Sequence, residues 1–136
     1  MSCVSPTAAQ KPMPDFSIPL EFDDHFTDGL GRATAVIPEK SAWFDGHFPN
    51  NPVLPGIAVL NLAERMILRQ AQKKHLKWAL IQMDRVRFRR LLRPGDRIVL
   101  KASVDYSNPG ASHRFEVFSD NESVCAGSMR FAEAER

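Results

Sequence analysis

Apolar residues recur every three or four positions at Ile57, Leu60, Ala63, Ile67 and Ala71. That spacing predicts an amphipathic helix of about four to five turns, ending near Lys73-Lys74-His75. Before it, Ala33 to Ile37 reads as a strand stopped by Pro38, and Phe16 to Phe22 as a first short strand. After it the period falls to two. Trp78 to Arg90, Ile98 to Val104, His113 to Phe118 and Val124 to Phe131 read as strands. Turn signals separate them at Arg93-Pro94-Gly95-Asp96, Asn108-Pro109-Gly110 and Asp120-Asn121. Within Arg85-Val86-Arg87-Phe88-Arg89 the alternation predicts Val86 and Phe88 facing inward and the arginines outward. One long helix followed by at least four meandering antiparallel strands, with one or two before it, is an α+β layer arrangement.

The length of 136 residues fits one domain with a sizeable core. Residues 1–14 carry Pro6, Pro12 and Pro14 among small polar residues and read as a disordered tail, leaving 15–136 as the domain. An apolar content of 43% with 25% charged residues is that of a soluble globular protein. No apolar run approaches the ~20 residues of a membrane span, and the N-terminus lacks a basic-then-apolar signal. The two cysteines, Cys3 and Cys125, do not suggest a disulfide framework. The cytoplasm is the expected compartment. A net charge of +2 without aromatic interleaving argues against nucleic-acid binding.

Chemistry concentrates in Gly46 to Gly56, which reads Gly-His-Phe-Pro-Asn-Asn-Pro-Val-Leu-Pro-Gly. Proline fixes its own φ, removes a donor and restricts the residue before it. Pro49, Pro52 and Pro55 therefore predict a stiff extended loop, which presents His47 and ends at the start of the helix. A rigid histidine near a helix N-terminus suits acid–base chemistry on a carbonyl compound.

This run resembles the active-site loop of the FabZ/FabA-type β-hydroxyacyl-acyl-carrier-protein dehydratases, which have the hotdog fold. Phe88-Arg89-Arg90 through Arg93-Pro94-Gly95-Asp96 is similar to a second, weaker family pattern. The resemblance spans roughly Asp15 to Phe131. It implies a hotdog domain, with one long central helix wrapped by a curved antiparallel sheet. It also implies removal of water from a 3-hydroxyacyl thioester. His47 matches the family's base, and an imidazole is suited to that role at neutral pH. The N–H at Gly56 or its neighbour matches the group that polarises the thioester oxygen, where the helix dipole is positive. Phe44, Phe48, Pro55 and Ile57 are candidates for the acyl slot. No metal and no cofactor are called for.

The chain departs from the family at the acid. Fourteen residues after the histidine the family carries Glu or Asp; here that residue is Asn61. An amide can hold a water or a hydroxyl but cannot supply a proton, and general acid catalysis is typically worth ~10²–10⁴-fold. Three outcomes are open. Asn61 positions a water while His47 moves both protons, Glu64 takes over the acid role one turn later, or dehydration is lost. The last leaves a hotdog thioesterase or a non-catalytic acyl-carrier binding protein. The plainer reading of Glu64 is an exposed carboxylate paired with Arg65 or Arg69.

Partners follow from the same resemblance. Family members act on acidic acyl carrier proteins or on coenzyme A thioesters, and basic residues here cluster after the loop. Arg65, Arg69, Arg87, Arg89 and Arg90 are the candidates for carrier docking, since positive patches steer acidic partners. In the family the site lies between two subunits, which implies a homodimer or a larger homo-oligomer.

Overall fold

The computed structural model describes residues 16–23, 29–44 and 52–134. The proline-rich tail, Cys3, His47 and Phe48 lie outside the described residues. In chain order the elements are β1 (Glu21–Phe22), β2 (Leu30–Val36), a 3₁₀ turn (Ala42–Phe44), α1 (Gly56–Lys73), β3 (Trp78–Phe88), β4 (Arg97–Ser103), β5 (His113–Ser119) and β6 (Glu122–Glu133). The strands form one antiparallel sheet in the order β1-β2-β4-β5-β6-β3, and α1 packs on one face. This is the hotdog arrangement of a single long helix held by an antiparallel sheet.

The predicted helix spans 18 residues, and its apolar stripe is buried through Val59, Leu62, Ala63, Met66, Ile67 and Ala71. Small residues on the facing strands, Gly31, Ala33, Ala35 and Ala102, let it approach closely. A Cβ at Gly31 would lie 2.7 Å from the Gln70 side chain. The helix ends on two backbone bonds, His75 N–H to Gln72 C=O and Leu76 N–H to Ala71 C=O, with His75 left-handed at φ 62°. That is a Schellman cap with histidine where glycine is usual.

The strand alternation holds through β4 and β5. Ile98, Leu100, His113, Phe115 and Val117 are buried, while Arg97, Lys101 and Arg114 face out. The β5–β6 hairpin turns on Asp120 and Asn121, both at positive φ, as a two-residue hairpin of that twist requires. Cys125 is a free, buried thiol, and burial pushes its pKa up to about 11.

Two expectations are corrected. The meander is limited to β4-β5-β6, because β3 crosses to the far edge and pairs with β6 rather than β4. Phe16 to Phe22 is mostly not a strand; only Glu21 and Phe22 pair with β2. Phe88 faces inward as expected, opposite buried Cys125 and with its ring against Gly56 of α1. Register shifts between Leu80 and Gln82 and between Asp84 and Arg87 interrupt the period of two within β3, and Phe88, at the strand's end, stays 49% exposed. Arg85, Arg87 and Arg89 do face out, and Val86 packs against the core.

Candidate active site

The described part of the proline loop delivers the chain to α1 under two constraints. Leu54 is buried and its N–H donates to Leu92 C=O at 2.7 Å, which pins the loop to the segment after β3. Pro55 then sits at the N-cap, extended at φ −60° and ψ 146°. Proline brings no hydroxyl or carboxylate, so the N-cap residue makes no side-chain cap, and the first turn holds no acidic residue. Ala58 N–H donates to Pro55 C=O at 3.0 Å, so the N–H groups of Gly56 and Ile57 are those the first turn offers at its positive end.

Phe88 forms the wall of this helix end. A Cβ on Gly56 would lie 2.8 Å from Phe88 Cζ, so only glycine lets the ring rest against the first turn. Ile57 is 68% exposed beside it. Asn61 and Glu64 follow four and seven residues after Ile57, on the same face of the helix. Asn61 is exposed and Glu64 half-buried. Partial burial raises the Glu64 pKa above the ordinary carboxylate range. Its expected pairing with Arg65 or Arg69 is not found, because both arginines are engaged elsewhere.

Arg65 Nη1 donates to Ile18 C=O at 2.9 Å, and the Arg69 guanidinium lies 4.1 Å over the Phe22 ring. Both tie the segment 16–22 across the helix. Trp43 adds a third tie: its Nε1 donates to Phe16 C=O at 2.8 Å and its ring meets Phe16 edge-on. Phe44, beside it, is half-buried against the core.

Arg87 and Arg89 are exposed at the Phe88 end of β3. Arg90 is different: it donates to Ser119 C=O at 3.0 Å and lies near Asp96 and Asp120, so it braces the β3–β4 turn against the β5–β6 hairpin. The structure thus places Gly56, Ile57 and Phe88 at the N-terminal end of α1, with Asn61 and Glu64 further along the same helix face. It leaves Arg65, Arg69 and Arg90 in structural contacts. Phe88 was not foreseen as part of this group, since alternation places it on the inner face of β3 without saying which part of α1 it meets. Among the described residues no group of three or more His, Cys, Asp or Glu could hold a metal ion. No described helix is long and apolar enough to cross a membrane.

Similar folds place this architecture among the hotdog proteins. The dehydratase heterocomplex ApeI:P from Xenorhabdus doucetiae superposes with a TM-score of 0.74 at 19% identity, covering 87% of this chain and 100% of that one. The PaaI protein from the E. coli phenylacetic acid degradation operon gives 0.66 at 14% identity, covering 84% and 82%. The sequence narrows the class. The model of the ApeI-like family, described as ApeI dehydratase, matches residues 23–129. The 3-hydroxyacyl-acyl-carrier-protein dehydratase FabZ of Oenococcus oeni is 34% identical over 117 residues, 75% of this chain and 76% of the relative. That of Caldanaerobacter subterraneus is 28% identical over 111 residues, 76% and 79%. The chain belongs to the ApeI-like family of FabZ/FabA-related hotdog dehydratases.

Proposed function

We propose that this protein removes water from 3-hydroxyacyl thioesters carried on an acyl carrier protein, in fatty acid, polyene or related lipid synthesis. The observation that carries the reading is the first turn of α1, without a side-chain cap from Pro55, reached through the proline loop and walled by Phe88 against Gly56. The thioester oxygen lies at the Gly56 end, where N–H donors and the helix dipole favour developing negative charge. Ile57, Phe44, Phe48, Pro55 and Phe88 shield the acyl chain. His47 takes the α-proton, the C3–O bond breaks, and the hydroxyl leaves as water after receiving a proton. Asn61 holds that hydroxyl by hydrogen bonding, and His47 returns the proton it took, because the amide has none to give.

The site works as a homodimer joined along β3. This 11-residue edge strand has no partner on its outer side among the described residues and exposes Ile81. A second copy would cover that edge. Arg87 and Arg89, exposed next to Phe88, are the docking cations for an acidic carrier. The cytoplasm is the compartment where such carriers and thioesters meet.

A second reading rests on Asn61 and on the burial of Glu64. A half-buried carboxylate with a raised pKa is a better proton acceptor than an exposed one. It could activate water for hydrolysis of the thioester, or the chain could bind acyl carriers without turnover. The test is turnover of a 3-hydroxyacyl thioester, with enoyl formation and free thiol followed together. The dehydratase reading expects enoyl product from the wild type, lost in His47→Ala, with a rise in Asn61→Glu of up to ~10²-fold. Thiol release abolished by Glu64→Gln, without enoyl product, would install the thioesterase reading. Carrier binding without turnover in any form would install the binding reading.

A further inference from the structure

The face of the sheet turned away from α1 carries an open depression of about 1020 Å³ that the chemistry above does not use. Its shape follows from the register. Ser103, Arg114, Ser128 and Asp84 stand opposite one another across β4, β5, β6 and β3. The next row is Lys101, Glu116, Ala126 and Arg87. Serine and alanine leave the floor low while long side chains rise around it.

The charge at this floor is not balanced internally. Asp84 already accepts from Arg130 Nε at 3.3 Å and from Gln82 Nε2 at 2.7 Å. Glu116 accepts from the Ser123 hydroxyl at 2.7 Å. Lys101 Nζ lies 5.4 Å over the Phe118 ring. Arg85 and Arg114 therefore line the depression with no carboxylate on either guanidinium among the described residues.

Arg85 reaches this face only through a bulge. Asp84 pairs with Ser128 and Arg87 with Ala126, so one extra residue is inserted between them. That residue is Arg85, held left-handed at φ 54°, a conformation glycine adopts freely and arginine does not. Unbroken alternation would send this side chain to the helix face. A strained backbone that aims a cation into a cup is the kind of feature found at binding sites.

We propose that this depression binds a small anion of the phosphate class, a free oligophosphate or a phosphorylated metabolite. Guanidinium forks match phosphate oxygens two at a time, and serine hydroxyls beside Arg114 add donors. No Trp or Tyr lines the cup, and Leu30 is its one large exposed aliphatic residue, so it lacks the anchors of a protein interface.

The test is calorimetric titration of the full chain with inorganic pyrophosphate and, separately, with ADP, both without metal and at physiological salt. One saturable site is expected. It should weaken about tenfold or more in Arg114→Ala and by several-fold in Arg85→Gly, which keeps the bulge and removes the guanidinium. Lys77→Ala, an equal loss of charge at a distant exposed site, should leave it unchanged. Equal affinity for the two ligands assigns recognition to the phosphates alone, and tighter ADP binding assigns it to a phosphorylated metabolite. Both variants are surface changes whose fold is checked by circular dichroism. Absence of saturable binding for both ligands overturns the proposal. Equal weakening by Lys77→Ala also overturns it, since it would mean diffuse attraction.

Discussion

His113 provides the sharpest test of how the β4–β5 end is held. Its ring is fully buried, stacked 5.1 Å from Trp78 and 5.8 Å from Phe131. Nδ1 accepts the Asp105 N–H at 3.2 Å, so the proton sits on Nε2, which donates to Pro109 C=O at 3.0 Å. Phenylalanine at this position would keep the aromatic packing and remove both bonds. An unsatisfied buried group costs about 1–3 kcal/mol. Pro109 C=O keeps a second donor, the Phe131 N–H at 2.8 Å, and Asp105 is exposed enough for water to replace part of its loss. The net cost of His113→Phe should therefore be about 1–2 kcal/mol, most of it at Asp105 N–H. His113→Ala should cost about 3 kcal/mol or more, because it also opens a cavity beside Trp78 and Phe131. Urea denaturation of the three proteins reads both numbers. Equal stability of His113→Phe and wild type would refute the reasoning, since the two hydrogen bonds would then contribute nothing beyond packing.

Three further outcomes are expected. His75→Gly should raise stability by about 0.5–1 kcal/mol, since the left-handed C′ position then carries no Cβ, visible as a thermal midpoint about 2–4 °C higher. Gly56→Ala should displace the half-exposed Phe88 ring and lower turnover about tenfold or more, while the melting temperature moves little. Glu64 has a folded pKa raised by burial, so its contribution is most favourable at low pH and is lost as pH rises through that raised value. Glu64→Gln should therefore be more stable than wild type near neutrality and indistinguishable from it below the carboxylate range. Chemical denaturation across a pH series checks the sign.

Local periodicity determined much of this molecule. The spacing from Ile57 to Ala71 specifies a helix with one buried stripe, and β4 and β5 alternate as their residues do. Pro94-Gly95 and Asp120-Asn121 mark turns because they tolerate the backbone angles that turns need. The Gly46–Gly56 run pointed to the family, and the family match over residues 23–129 bears that out.

Tertiary structure decided the rest. Nothing in the sequence of β3 says that it crosses to the far edge to pair with β6, because strand partners are chosen by global packing. The bulges in β3 are equally silent locally, yet they turn Phe88 onto Gly56 and Arg85 onto the opposite face. The basic cluster looked uniform along the chain. Folding divides it, since Arg65, Arg69 and Arg90 find carbonyl, aromatic and carboxylate partners far away in sequence, while Arg87 and Arg89 remain exposed. Backbone geometry is read from neighbours in sequence. The partners of a charged or aromatic side chain are set by which distant segments the core brings beside it.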